Sequence, residues 1–130
     1  MAEATPTLSK GARAFPKDVR LRRRAEFLKV QERGAKHSAD CLLVLALPNG
    51  RADGLSRVGL TVSTKVGNAV VRNRLRRRLR ELFRTRRAAL PRGLDMVIIA
   101  RTSAAEADWS RLVRAFERVS AELAKRYPAS

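Results

Sequence analysis

The chain has 130 residues, 45% of them hydrophobic, which is enough for one modest core and excludes disorder throughout. Lys and Arg total 29 against 12 Asp and Glu, so the formal charge of +17 favours a polyanion partner, nucleic acid before a membrane surface. No apolar stretch approaches the ~20 residues of a spanning helix, and no signal-peptide core is present. The single cysteine, Cys41, cannot form an internal disulfide, which fits a reducing compartment. With no export signal in the sequence, we expect a cytoplasmic protein that does not span a membrane.

Residues 1–16 mix small, polar and basic residues without periodicity, and we expect a flexible basic arm there. The remainder, residues 17–130, is predicted to form a single domain. Apolar spacing predicts a short first helix over Arg23–Arg33, and Gly34 is placed to end it. Arginines around the start of this helix add to the positive charge of the domain.

Two strands are predicted before the next helix. Cys41–Leu47 is a continuous apolar run that ends at a turn, so both faces should be covered and the Cys41 thiol buried. Arg57–Ser63 alternates, which predicts one core face and one polar face that could meet a ligand. The single histidine, His37, lies in a polar stretch and is expected to be exposed or weakly bonded.

A helix dominated by arginine is predicted from an N-cap at Asn68 to about Ala89, where Pro91 and Gly93 end it. Its apolar stripe recurs at helical spacing and comprises Val71, Leu75, Leu79 and Leu82. The opposite face, at about 100° per residue, holds Arg72, Asn73, Arg76, Arg77, Arg80 and Arg84. Arg74 and Arg78 project toward the side of the stripe and are candidates to contact acidic groups or strand ends.

A strand at Asp95–Arg101 and a final helix complete the chain. Two starts are open for that helix, a capping box formed by Ser103 and Glu106 or an N-cap at Asp108. The apolar residues at helical spacing within Trp109–Tyr127 are predicted to face the core.

The order is therefore helix, two or three strands, basic helix, strand, helix. This order predicts an α/β (α+β) two-layer sandwich, with a mixed sheet of three to four strands and about three helices. One predicted strand precedes the arginine helix and another follows it. This order implies a crossover between parallel strands, which would be right-handed by default.

The residues provide little for catalysis. His37 has no second histidine or nearby cysteine at zinc-site spacing, and Gly67 stands alone where a phosphate-binding loop needs a second glycine. Carboxylates are scattered singly among basic neighbours that could hold them as surface ion pairs. We therefore predict no catalytic residue and no metal ligand in the chain.

The segment Arg57–Glu81, which includes Arg72-Asn73-Arg74, resembles the signature of the protein component of bacterial ribonuclease P. The resemblance extends weakly over the predicted domain, through Arg20-Leu21 followed by Phe27 and through the two apolar strands. Residues 1–16 fall outside it.

The resemblance implies a non-catalytic protein subunit of an RNA-based hydrolase, in which a large catalytic RNA cleaves precursor tRNA to form the mature 5′ end. It implies a left-handed crossover in place of the default, a monomer in a 1:1 complex with the RNA, and Mg²⁺ serving the RNA-catalysed reaction. The expected contacts to the catalytic RNA are Lys65, Asn68, Arg72, Asn73, Arg74, Arg76, Arg77 and Arg80. Arginine suits this role because its planar fork binds phosphate oxygens bidentately without titrating.

The resemblance also implies a cleft between the first helix and the sheet that holds the single-stranded 5′ leader. Its candidate residues are Phe27, Gln31, Leu43, Leu45, Arg57 and Thr61. Phe27 could offer its ring to a base or could belong to the core. Gln31 and Leu45 depart from the aromatic residues that many family members place there.

Two other classes of function stay open at this point. A general RNA-binding protein, such as a ribosomal component, would bind structured RNA without changing precursor cleavage. A protein-only nuclease would need metal ligands that the sequence does not offer.

Overall fold

Within residues 20–21 and 23–127, which the computed structural model describes, three α-helices pack against one four-stranded sheet. The predicted arm and its boundary with the domain lie outside these residues. The elements in chain order are α1 (Arg24–Arg33), β1 (Ala35–Ala39), β2 (Leu42–Pro48), β3 (Arg57–Thr61), α2 (Ala69–Arg86), β4 (Leu94–Ala100) and α3 (Trp109–Arg126). Short 3₁₀ turns follow α2 at Arg87–Ala89 and precede α3 at Thr102–Glu106.

The strands are arranged in the order β1-β2-β4-β3. β2 pairs antiparallel with both β1 and β4, whereas β3 pairs parallel with β4. The antiparallel and parallel pairs together make the sheet mixed, and α2 connects its parallel pair. The α+β fold and the crossover are thus confirmed, while the left hand of the crossover stays a prediction from the family resemblance.

The edge strand β1 was not located from the sequence, because its central residues Lys36, His37 and Ser38 are polar. Pairing with the apolar strand β2 through a tight turn makes this segment a strand. The turn includes Asp40, whose φ of 51° lies in the left-handed region. His37 is buried, so the first of the two expectations, exposure, is wrong. Its Nδ1 lies 3.4 Å from Oε1 of Glu122 on α3, a long contact that fits the second expectation, a weakly bonded histidine.

One face of the sheet forms the larger core with α2 and α3. The predicted stripe of α2 is buried at Leu75, Leu79 and Leu82, and Phe83 joins it. Helix α3 begins at the N-cap Asp108, whose side chain accepts a hydrogen bond of 2.8 Å from the amide of Arg111. The alternative capping box is wrong, because Ser103 and Glu106 lie within the preceding 3₁₀ turn.

Trp109 is an exception among the apolar residues of α3. Leu112, Phe116, Val119 and Leu123 are buried as predicted, but 39% of Trp109 is exposed. Trp109 is the first residue of the helix, at the margin of the core, so its predicted place in the core is wrong.

The opposite face of the sheet is covered by α1, which runs over β2 and β4. A second, smaller cluster forms here from Leu21, Val30, Leu45 and Val97. Gly34 follows α1 with an extended backbone, not a left-handed one. A Cβ atom at Gly34 would lie 2.5 Å from the carbonyl oxygen of Val30, so close packing explains the glycine.

Candidate nucleic-acid interface

The start of α2 is fixed by the N-cap that the sequence predicted. The Oδ1 atom of Asn68 accepts a hydrogen bond of 3.0 Å from the amide of Val71, which satisfies one of the free amides of the first turn. Gly67 packs directly on α2, since a Cβ atom there would lie 2.9 Å from Cγ1 of Val71. The loop before α2 therefore sits close against the first turn of the helix.

The outward face of α2 and the loop before it form what we call the arginine surface. It consists of Lys65, Asn68, Arg72, Asn73, Arg76, Arg77 and Arg80. Lys65, Asn68, Asn73, Arg77 and Arg80 are exposed, whereas Arg72 and Arg76 are half-buried along one flank. Seven of the eight predicted RNA contacts thus lie on one continuous face, and the eighth, Arg74, is half-buried on the opposite flank of the helix.

Hydrogen bonds to neutral acceptors orient two of these arginines. Arg76 donates to Oδ1 of Asn73 at 2.9 Å and to the carbonyl oxygen of Val62 at 3.4 Å. Arg72 donates from Nε to the carbonyl oxygen of Gly67 at 3.2 Å. Because the acceptors carry no charge, both guanidinium groups keep their full positive charge. The hydrogen bonds also order the two side chains in advance, which reduces the conformational entropy lost when a ligand binds.

The positive charge of this surface is not compensated within the part of the chain that the structure describes. Helix α2 has eight arginines and one glutamate, Glu81, and its first turn has no acidic residue. Glu81 accepts from Arg84 at 2.6 Å, and this hydrogen bond lowers the pKa of Glu81. Arg84 was predicted on the outward face, and its charge is paired there. No carboxylate of the described residues forms an ion pair with Arg72, Arg76, Arg77 or Arg80.

The helix dipole adds to this imbalance. The N-terminal end of a helix carries a partial positive charge and favours anions. Lys65 and Arg72 lie at that end of α2, so like charges meet there. A phosphate group placed against this end would relieve the repulsion and release its counterions.

The other flank of α2 faces α3. Arg78 donates from Nη1 to the carbonyl oxygen of Ala107 at 3.3 Å, in the segment just before α3. The prediction that Arg78 turns away from the outward face is confirmed. This contact ties the middle of α2 to the start of α3.

The predicted leader cleft lies on the opposite face of the sheet, beside α1. The ring of Phe27 rests on the backbone of Gly59, where a Cβ atom would lie 2.4 Å from two ring carbons. Phe27 is half-buried and packs on the smaller cluster around Leu45 and Val97. Its ring therefore forms part of the contact between α1 and the sheet, and stacking with a base stays a prediction.

The remaining cleft candidates differ in accessibility. Gln31 is exposed on α1, and Leu43 and Thr61 are half-buried. Leu45 is 4% exposed, so its side chain is covered and offers no surface to a ligand. The accessible candidates on this face are therefore one amide, one leucine and one threonine side chain.

Arg57 has a different environment from the one predicted. It donates to both carboxylate oxygens of Asp95, at 2.9 and 2.6 Å, and to Glu26 of α1 at 2.9 Å. The hydrogen bonds to Asp95 raise the pKa of Arg57 above its ordinary value. One arginine between two carboxylates leaves no positive excess for a phosphate, so Arg57 fastens α1 to the sheet instead. The sequence offers one indication of this ion pair, which is the acidic residue Asp95 at the start of an apolar strand.

Two further properties bear on function. Within the described ranges, no group of three or more His, Cys, Asp or Glu side chains could hold a metal ion. No helix in those ranges is long and apolar enough to cross a bilayer.

A mixed sheet whose crossover helix carries uncompensated arginines defines a small basic α+β protein with a polyanion-binding surface. Its sequence matches the model of the family described as Ribonuclease P over residues 15–124. The chain belongs to the Ribonuclease P protein family.

Individual relatives agree with this assignment. The chain is 39% identical over 118 residues to a ribonuclease P protein component of Desulfovibrio desulfuricans, covering 89% of this chain and 91% of that protein. It is 42% identical over 113 residues to the same component of Citrifermentans bemidjiense, covering 87% and 95% of the two chains.

Solved structures give the same result for the fold. The Staphylococcus aureus RNase P protein matches with a TM-score of 0.73 at 28% identity, over 84% of this chain and 97% of that one. The Thermotoga maritima RNase P protein matches with a TM-score of 0.71 at 31% identity, over 78% and 96%.

Proposed function

We propose that the arginine surface is the dock of this protein on the catalytic RNA of ribonuclease P. The observation that supports the proposal is the run of arginines on α2 that form no ion pair with a described carboxylate, above all Arg76, Arg77 and Arg80. Phosphates are the chemical partner that such a surface fits, because guanidinium groups bind their oxygens bidentately. The protein acts as the protein subunit of this ribonucleoprotein, which matures the 5′ end of precursor tRNA.

The chemistry of cleavage belongs to the RNA in this proposal. The described residues offer no cage for a metal, so they do not fit a metal centre of the protein's own. Mg²⁺ is then bound by the RNA, where it supplies the hydroxide and charge stabilisation of phosphodiester hydrolysis. The protein contributes positive charge and position, as one copy per RNA in the bacterial cytoplasm.

The 5′ leader lies on the face beside α1. Gln31, Leu43 and Thr61 are accessible there, and backbone and small side chains contact the leader more than aromatic stacking does. Phe27 contributes the part of its ring that the contact with Gly59 leaves uncovered.

Reconstitution tests the proposal directly. Precursor tRNA cleavage by the catalytic RNA is measured at low magnesium with and without the protein, and the protein is also tested alone. We expect stimulation by the protein and no cleavage without the RNA.

A double variant, Arg76→Ala with Arg80→Ala in one chain, is compared with the control variant Arg114→Ala. Arg114 is an exposed arginine of α3 whose Nη1 donates to the Ser110 hydroxyl, so its removal changes charge away from the arginine surface. The double variant should lose most of the stimulation of cleavage, and the control variant should stimulate cleavage as the native chain does. A general RNA-binding protein would give no stimulation at all, and cleavage by the protein alone would indicate a nuclease.

A further inference from the structure

Trp109, the chain's one tryptophan, lies at the junction of α2 and α3. It is 39% exposed, one of three large apolar residues on the described surface. The guanidinium carbon of Arg86, in the last turn of α2, lies 5.9 Å from the centre of its ring. This is a cation–π contact at a surface where water and ligands have access.

The same arginine also lines a cavity. A cavity of about 250 Å³ lies between the end of α2 and the outer side of α3, with Arg86 and Ala89 on one wall. Phe116, Ala121 and Ala124 contribute apolar surface on the other wall, and Glu117 and Ser120 add polar groups to it. Arg86 therefore contacts both the exposed ring of Trp109 and this cavity.

We propose that Trp109 and Arg86 form a stacking site for an unpaired nucleobase of the RNA that binds the arginine surface. The inference rests on the proposed function and adds a second type of contact to it. Unpaired bases stack on aromatic side chains and on arginine planes, whereas paired bases in an RNA helix are not available for this. The ring of Trp109 is an aromatic stacking surface, and the planar guanidinium group of Arg86 is an arginine stacking surface.

Charge and position favour RNA over a protein as the occupant. Arg86 follows Arg80 by six residues, which is about 9 Å along the helix axis and about 120° around it, so the site lies on the flank of α2 next to the arginine surface. Arg78, bonded to Ala107, places a further cation on the flank between them. Asp108, which precedes Trp109, is already engaged as the N-cap of α3, while Glu117 places one carboxylate on the cavity wall. A strand of RNA that contacts Arg80 through phosphate reaches the tryptophan by passing around the last turns of α2.

The fluorescence of this single tryptophan reports on the site without a label. The native chain is titrated with the catalytic RNA, with single-stranded oligouridylate and with inorganic polyphosphate, which has the charge of RNA but no base. We expect both RNAs to quench and shift the emission, and polyphosphate to leave it nearly unchanged. Binding itself is followed separately, by the anisotropy of an end-labelled RNA.

Two substitutions separate stacking from structure. Trp109→Leu removes the aromatic plane and should weaken RNA binding roughly 5- to 100-fold, the range of one lost base stack. Trp109→Phe keeps a smaller ring and should lose less. The salt dependence of binding should keep its slope in both variants, since no phosphate contact is removed. Thermal unfolding of each variant checks that the fold is retained.

The outcomes distinguish this site from the proposed function. The stacking site alone is overturned if RNA binds Trp109→Leu with native affinity. It is also overturned if anisotropy shows RNA binding to the native chain while the tryptophan emission stays unchanged. Equal quenching by polyphosphate and RNA also overturns it. A native chain that does not bind the catalytic RNA overturns the proposed function.

Discussion

Arg57 and Asp95 are register partners on the parallel strands β3 and β4, and two hydrogen bonds of 2.9 and 2.6 Å join their side chains. The remaining arm of Arg57 reaches Glu26 at 2.9 Å. A single guanidinium thereby ties two strands and the only helix on this face of the described sheet. The side chains of Arg57 and Asp95 are 17% and 11% exposed, so solvent screens this pair only weakly.

Loss of Arg57 should therefore destabilise the fold. Arg57→Ala leaves Asp95 and Glu26 partly buried without their partner, and we expect a loss of about 2–3 kcal/mol in the free energy of unfolding. Urea unfolding monitored by circular dichroism measures it. The control is Arg51→Ala, which breaks the exposed pair with Asp53 and should cost under about 0.5 kcal/mol. Equal stability of the two variants would show that Arg57 does not fasten α1.

The contact between Phe27 and Gly59 should be sensitive to a single methyl group. Gly59→Ala places that methyl where the ring lies, so the ring must move off the strand, at an expected cost of about 1–2 kcal/mol. In a Phe27→Ala background the same change should cost much less, because the clash is absent. Unfolding of all four proteins gives the coupling energy. A coupling near zero would contradict the close approach of ring and backbone.

Substitutions of Asn68 and Asn73 should have different effects on the stability of the fold and on its affinity for RNA. Asn68→Ala removes the N-cap of α2 and should cost about 1 kcal/mol of stability. Asn73→Ala changes an exposed residue and should alter stability by less than about 0.5 kcal/mol, while it weakens RNA binding and frees Arg76. The two variants are compared by thermal unfolding and by RNA titration. A large stability loss in Asn73→Ala would place that residue in the fold instead of the interface.

The thiol of Cys41 should be unreactive in the folded protein. Cys41 is fully buried, and burial raises the pKa of its thiol. A raised pKa lowers the thiolate fraction near neutral pH, and only the thiolate reacts with alkylating reagents. Iodoacetamide should label the native chain far more slowly than the urea-unfolded chain. Labelling at the same rate in both would show that this part of the core opens readily.

The helices were predictable because their patterns are local. The stripe of α2, its cap at Asn68 and its end before Pro91 follow from residues a few positions apart. The outward arginines followed from the same periodicity. Strand β1 was not located, since a polar edge strand is defined by its pairing with β2 and has no pattern of its own.

The errors at the candidate sites have the same physical origin. Arg57 meets Glu26 and Asp95 across 31 and 38 positions of the chain, and no spacing rule indicates such pairs. Trp109 fits the apolar period of α3, yet it lies at the end of the helix, where the core no longer covers that face. Leu45 was assigned to a ligand surface, but α1 packs over it. Tertiary packing decides all three positions.

We propose that arginines of α2 without a carboxylate partner bind RNA phosphates, and the salt dependence of RNA affinity tests this binding. The logarithm of the association constant with the catalytic RNA is measured against the logarithm of salt concentration for the native chain, Arg76→Ala with Arg80→Ala, and the Arg114→Ala control. Each lost phosphate contact should reduce the slope by about 1, so the paired substitution should lower it by about 2 while the control keeps the native slope. An unchanged slope for the paired substitution, or an equal reduction in the control, would contradict the assignment of the arginine surface as the RNA dock.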